Sequence, residues 1–324
     1  MSKTLKILSR PRGNAEEYGR WSVNAYKGCG GLCEYCYLKK GVWKSELGGS
    51  VPVLKKDTDR YATSAVAEGY VEGGHAAWFF ARDEIKQNRD EIIRDGGLFM
   101  TFTSDPCLPE TRWTFFAIAS SCVLMKVPVM LLTKRADFTD SNDYQKILLP
   151  YTAFGAERYI AFGWTLTGHD ELEPQASSNA DRIKAMRSVG NDGFKTWASI
   201  EPVIDFSSSL DMIYQALNAG CQHFKIGLLT NNTRVVRKDF EFGEHHFDAY
   251  KVSDCLHFIE DVMRLTDGKA TVYWKQSVRD LLGTVYTTAA VDELLNFPHS
   301  VGKDWSMFDN KGIRLWRINF SVTD

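Results

Sequence analysis

Short apolar runs recur along the chain, and longer segments with apolar residues at helical spacing separate them. The runs predict strands over Ser22–Tyr26, Leu98–Thr103, Val127–Thr133, Tyr159–Thr165, Lys195–Ile200, His223–Leu228 and Thr271–Trp274. The segments between them predict helices over Ala76–Arg94, Arg112–Met125, Ala180–Val189, Ser208–Asn218 and Ser253–Leu265. Strands that alternate with helices build βα units around a largely parallel sheet. The expected fold is therefore α/β, a partial to complete TIM-like (β/α)6–7 barrel with parallel strands. Such barrels place their chemistry at the C-terminal ends of the strands. The same pattern divides the chain into an N-terminal extension over 1–20, a barrel core over 21–228, and a C-terminal extension over 229–324 that completes or caps the barrel. Within the core, residues 41–75 are rich in glycine and charge and read as an insertion. Thr230–Tyr250 is polar and irregular, carries His245-His246, and reads as a substrate-side loop or lid.

Charge changes this picture little. The 324 residues hold 39 Lys plus Arg against 41 Asp plus Glu, a net charge of -2. That balance excludes a polyanion binder driven by a basic tail, while leaving room for a local basic groove. The most apolar stretch, Thr114–Thr133, is interrupted by Ser120, Ser121, Lys126 and Pro128, so no membrane span is expected. MSKTLKILSRPRG has no apolar signal core ahead of its charges, which points to a cytoplasmic protein.

The cysteines add chemistry. There are 7, and Cys29, Cys33 and Cys36 fall together in Gly28-Cys29-Gly30-Gly31-Leu32-Cys33-Glu34-Tyr35-Cys36-Tyr37. An odd number with one tight cluster argues against a disulfide framework and for a metal or redox site. Structural zinc normally takes four protein ligands, and no partnering C-x2-C or H-x3-H follows. Three thiolates suit a [4Fe-4S] cluster with one iron left open. Zinc or an unrelated redox loop is the alternative. Cys122, Cys221 and Cys255 lie in apolar segments and read as core.

C-x3-C-x2-C with an aromatic just before the third cysteine resembles the signature of radical S-adenosylmethionine enzymes. In that family the open iron chelates the amino and carboxylate groups of S-adenosyl-L-methionine. An electron from the cluster then cleaves the sulfonium to a 5′-deoxyadenosyl radical. The resemblance runs from Trp21 to Pro202 and is to the spore photoproduct lyase-like subgroup. Trp21–Cys29, W-S-V-N-A-Y-K-G-C, is similar to the subgroup's W-x-x-N-P-Y-x-G-C. Ser104-Asp105-Pro106 resembles its T-D-P, Thr133-Lys134 its T-K, and Glu173 to Arg182 its E-P-x-A-x-S-x-x-x-R. Tyr35 and Tyr37 flank Cys36 as in the lyase, where the tyrosine pair is implicated in relaying a hydrogen atom. One departure argues against photoproduct repair itself: Phe102 stands where the lyase has a hydrogen-donating cysteine, with Cys107 a few residues later.

The resemblance implies a site. Cys29, Cys33 and Cys36 would hold the cluster. Thr103, Ser104, Asp105 and Lys134 would grip the methionine end, and Tyr35, Thr165 and Ile200 would receive the rest of the cofactor. Tyr37 and Cys107 are candidates for hydrogen transfer, and Trp164, Glu201, Lys225 and Lys275 for substrate contacts. Plainer readings stand beside these: Ser104 and Asp105 as a helix cap, Lys134 on the surface, Glu201 and Lys225 as a salt bridge, Cys107 as a packed thiol, Glu173 with Arg182 as an internal ion pair. The implied partner is an external electron donor of flavodoxin or ferredoxin type. The substrate stays open between a nucleic acid or nucleotide, a peptide and a small metabolite. The competing functional reading is a non-catalytic iron–sulfur or zinc module with a redox-sensing role.

Overall fold

Eight strands lie side by side in the order in which they occur in the chain. They are β1 (Leu8–Ser9), β2 (Trp21–Val23), β3 (Leu98–Met100), β4 (Val129–Thr133), β5 (Ile160–Thr165), β6 (Lys195–Val203), β7 (His223–Leu228) and β8 (Thr271–Trp274). β1 pairs antiparallel with β2, and every later neighbour is parallel. The structure is a computed structural model describing residues 7–39, 49–55, 73–231 and 234–296. Helices α1 (Gly73–Gln87) and α2 (Arg89–Arg94) precede β3, and α3 (Arg112–Leu124) precedes β4. α4 (Asn179–Asn191), α5 (Phe206–Asn218) and α6 (Val252–Thr266) precede β6, β7 and β8 in turn. α7 (Gln276–Leu282) and α8 (Thr288–Asn296) follow β8. Among the described residues no helix is long and apolar enough to cross a membrane.

β1 and β8 are not paired, so the barrel is of the partial kind. Its curvature follows from one side chain. β3 and β8 are five strands apart, roughly 24 Å in a flat sheet at about 4.8 Å per strand. Yet the Tyr18 ring lies 5.0 Å from that of Phe99 on β3 and 4.7 Å from Lys275 Nζ, just past β8. The sheet must curl around Tyr18. Residues 1–20, expected as an extension, thus supply an edge strand and, through the turn Gly13–Glu17 and Tyr18, a plug for the concave face.

The pleat sends alternate residues to opposite faces. Phe99, Met130, Ala161 and Trp197 form an inner apolar layer with Tyr18, Phe102, Leu132 and Tyr273, while the main core lies between the sheet and the helices. Burial on both faces is why these strands read as unbroken apolar runs. Gly163 belongs to the inner layer, where a Cβ would stand 2.1 Å from the Trp197 ring, so only glycine fits.

This alternation corrects two expectations. Trp164 points to the helices: it is fully buried, stacks on Phe138 and Phe162, and donates its indole N–H to the Arg135 carbonyl at 3.0 Å. It is a core residue, not a substrate contact. Ile200 also packs in the helix-side core, between Ser199 and Glu201, which face inward. Its side chain therefore does not line the mouth.

The anticipated insertion 41–75 falls largely outside the described residues. Of it, Val53–Leu54 pairs with Tyr26–Lys27 in a small ribbon. Thr230–Tyr250 is more regular than its polarity suggests. It contains two ribbons, Thr230–Asn231 with Arg234–Val235 and Phe240–Phe242 with His245–Phe247.

Candidate active site at the barrel mouth

The cysteine loop leaves the C-terminal end of β2, the first of the parallel strands. Gly28 has φ +89°, and a Cβ there would lie 2.7 Å from the Val51 carbonyl, so glycine lets the 49–51 segment cross the loop. The Cys29 amide donates to the Gly49 carbonyl at 3.0 Å. The Gly31 amide donates to Cys29 Sγ at 3.4 Å, and a Cβ on Gly31 would meet the sulfurs of both Cys29 and Cys33, at 3.5 and 3.6 Å. The two sulfurs thus flank one residue. The Cys36 amide closes the turn onto the Cys33 carbonyl at 3.2 Å. All three cysteines are free thiols, Cys33 buried and the other two half-buried.

Burial, then the Asp105 carboxylate, pushes the Cys29 thiol up to about 12, with Lys134 opposing. Cys33 is also raised, by burial first, again against Lys134. A metal that binds thiols displaces their protons, so loading of the loop is favoured as pH rises.

A network of charge backs the loop. The Tyr35 hydroxyl donates to Glu173, whose side chain is fully buried and lies 2.6 Å from Arg182 and 3.9 Å from Lys134 Nζ. Lys134 Nζ also sits 5.1 Å over the Tyr35 ring. Burial works to lower the Lys134 pKa, but Cys33 and Glu173 hold it above the ordinary lysine value. The ammonium is therefore charged. Arg182 donates to the carbonyls of Thr165 and Ser177, both at 2.8 Å, which ties the network to β5.

The end of β3 contributes Thr103, Ser104 and Asp105. Asp105 is engaged within the protein: Oδ1 accepts from the Cys107 amide at 2.9 Å and the Thr133 hydroxyl at 2.6 Å, and Oδ2 from the Lys134 amide at 2.8 Å. It clamps the β3 and β4 ends together. The Thr103 hydroxyl donates to the Tyr26 carbonyl. Ser104 Oγ is buried and has no protein partner. A buried hydroxyl left unpaired is costly, and it marks a place where a polar ligand atom would be welcome. Cys107, by contrast, is fully buried in the helix-side core, and burial raises its thiol well above the ordinary value. Tyr37 is 56% exposed and donates to the Phe102 carbonyl, so the two tyrosines of Y-C-Y diverge, one inward and one outward.

Below the mouth the concave face carries a second charged cluster. Lys275 bonds to Glu201 and lies 3.3 Å from Glu17. Tyr18 donates to Glu201 and shares a 3.0 Å hydrogen bond with Ser199. Lys225, fully buried, donates to the Glu17 carbonyl and lies 3.9 Å over the Tyr18 ring. Its ammonium is destabilised by burial, then by Lys275. Burial opposes ionisation of Glu201, but Lys275 and Tyr18 keep its pKa below the usual carboxylate value. Glu201, Lys225 and Lys275 are thus brought together with partners of their own. Glu17 and Tyr18 were missed in the sequence because they carry no motif. The one available signal was two lysines against one glutamate on inward positions, which required another anion.

No family model matches the sequence. An uncharacterized protein of Methanocaldococcus jannaschii is 22% identical over 194 residues, 57% of this chain and 61% of the relative, so under two thirds of the relative's length is matched. Solved structures are more informative. A mutant spore photoproduct lyase with bound AdoMet and dinucleoside spore photoproduct superposes with TM-score 0.57 at 15% identity, over 84% of this chain and 80% of that one. The lyase complexed with dinucleoside spore photoproduct gives 0.56, also at 15% identity, over 84% and 80%. The chain has the spore photoproduct lyase fold.

On this spore photoproduct lyase fold, the loop after β5 reaches the cysteine loop, where the Glu34 amide donates to the Leu172 carbonyl at 2.9 Å. A histidine clasp holds that loop from behind. His169 lies 2.6 Å from both Glu171 and Asp205, and Ser208 Oγ lies 3.1 Å from its Nε2. Burial opposes the imidazolium, but the hydrogen bonds to Asp205 and Glu171 raise its pKa above the ordinary value. A raised histidine stabilises the fold fully below the unfolded pKa of roughly 6.5, and that contribution fades as pH rises through the folded value. His169→Gln is therefore expected to lower Tm most at about pH 6 and progressively less toward about pH 9. A Tm difference that does not change with pH would remove the clasp. Elsewhere, exposed Asp239, His246 and Asp248 bring ligand atoms within 4.8 Å of one another, with Asp239 and Asp248 just beyond the paired ends of the second ribbon.

Proposed function

We propose that the chain is a radical S-adenosylmethionine enzyme. The observation that carries this reading is the set of three free cysteines within eight residues on the loop after the first parallel strand, with two of their sulfurs flanking Gly31, backed by a charged lysine and an unpaired buried serine hydroxyl. That donor set fits a [4Fe-4S] cluster: three sulfurs hold three irons, and one is left for the methionine amino and carboxylate groups. When bound, the cluster supplies the electron that cleaves S-adenosyl-L-methionine to a 5′-deoxyadenosyl radical.

The chain's own residues do the positioning. Cys29, Cys33 and Cys36 are the iron ligands. Lys134 meets the methionine carboxylate through a charge-assisted hydrogen bond. Ser104 Oγ accepts from the methionine ammonium, with Thr103 beside it, and Asp105 holds both strand ends in register. Tyr35 contributes main chain on the cofactor side, and Thr165, facing inward at the end of β5, lines the mouth. The plug formed by Tyr18, Glu201 and Lys275 makes the floor on which substrate rests and excludes water from below. Tyr37, exposed at the rim, is the candidate for hydrogen transfer, a role Cys107 would fill only by leaving the core.

The fold shared with a lyase that binds a dinucleoside photoproduct favours a nucleotide or nucleic acid substrate. An external flavodoxin- or ferredoxin-type donor supplies the electron, and the proposed location is the cytoplasm. The test is anaerobic reconstitution with iron and sulfide, then dithionite and S-adenosyl-L-methionine, with 5′-deoxyadenosine and methionine quantified. Formation of both is expected. Stoichiometric zinc in place of iron, with no cleavage, would overturn the proposal in favour of a non-catalytic metal module.

A further inference from the structure

Two cations and one anion stand together behind the cysteine loop, and their distances are unequal. Glu173 lies 2.6 Å from Arg182 but 3.9 Å from Lys134. Arg182 has no freedom to leave: its side chain is fully buried, and two further donors are committed to the Thr165 and Ser177 carbonyls. Arg182 therefore neutralises Glu173, which leaves Lys134 as the triad's one surplus positive charge, acting at the cysteine loop against the Asp105 carboxylate. Glu173 also reaches the cysteine loop itself. Its Oε1 accepts from the Tyr35 hydroxyl, and Tyr35 lies between Cys33 and Cys36 in the chain and presents its ring to Lys134 Nζ at 5.1 Å.

We propose that the Arg182–Glu173–Lys134 triad sets the reduction potential of the bound cluster through the single net positive charge it keeps behind the cysteine loop. This rests on the reading of the three cysteines as iron–sulfur ligands. The physical argument is electrostatic. Reduction adds one electron to the cluster, so a nearby uncompensated cation favours the reduced state and raises the potential. The charge is part-buried, where it is screened less than at an open surface. The tight Glu173–Arg182 pair keeps the net charge at one when it would otherwise be two. The 3.9 Å separation leaves Lys134 close enough to be oriented, yet free to bond a carboxylate of the cofactor.

The experiment is an EPR-monitored redox titration of the reconstituted cluster in wild type, E173Q, K134M and the double variant. Because E173Q removes an anion, its midpoint should move positive. K134M removes the surplus cation, and its midpoint should move negative. The double variant has the wild-type net charge and should return close to the wild-type midpoint. An E173Q protein that folds, loads its cluster and keeps the wild-type midpoint would overturn the proposal. So would a wild-type midpoint in K134M. Should E173Q fail to fold because it leaves Arg182 unpaired, K134M at the part-buried position decides alone, by a negative shift or none. Failure of the underlying reading looks different: wild type itself would then load no iron–sulfur cluster.

Discussion

Cys33→Ala is expected to yield a folded protein that binds no [4Fe-4S] cluster and makes no 5′-deoxyadenosine. Cys33 is the most buried of the three cysteines, and its sulfur shares the flank of Gly31 with that of Cys29. Among the described residues no fourth cysteine or histidine joins the loop to replace it. Two thiolates leave two irons without protein ligands, and the site has no other soft donor to offer. Removing the buried sulfur costs the apo fold only about 1 kcal/mol. The loss should therefore appear as missing iron, missing visible absorption and background 5′-deoxyadenosine, with an unchanged far-UV spectrum. Turnover retained in this variant would end the radical assignment.

The second large effect is on stability. Arg182→Met should destabilise the apo protein by about 3–5 kcal/mol, because it leaves a buried carboxylate without its close partner. Glu173 and Arg182 are both fully buried side chains 2.6 Å apart. The same substitution strips donors from the Thr165 and Ser177 carbonyls. Lys134, at 3.9 Å and partly exposed, recovers only part of the loss. Adding Glu173→Gln to Arg182→Met should return much of the stability, since the unpaired charge goes with it. Urea denaturation of the two variants checks this. A cost below about 1 kcal/mol for Arg182→Met would mean that the pair is solvated in solution and contributes like a surface ion pair.

Much of the architecture was legible because parallel strands buried on both faces must be apolar throughout. All seven anticipated strands occur, shifted by a few residues at their ends: Leu98–Thr103 stops at Met100, while Lys195–Ile200 runs on to Val203. The anticipated helix Ala76–Arg94 is broken at Asn88 into two. β1 and α7 escaped notice because a two-residue strand and a seven-residue helix leave too little periodicity to read. Faces were harder. Trp164 and Ile200 looked like mouth residues by their position at strand ends, but a one-residue step along a strand reverses the side chain's direction.

The sequence by itself determined the alternation of strands and helices and the clustering of three cysteines on a glycine-bearing loop. Each of these is local, set by neighbours in the chain. Only the tertiary structure decided that Tyr18 fills the barrel and that Glu17 joins Glu201 beside Lys275. It alone decided that Asp105 clamps two strand ends, leaving Ser104 as the unpaired hydroxyl, and that Glu173 reaches Tyr35 and Lys134. These contacts join residues up to 259 positions apart, such as Glu17 and Gln276. Charge compensation and hydrogen-bond satisfaction depend on which groups meet in space once the sheet has curled, and no periodicity along the chain encodes that meeting.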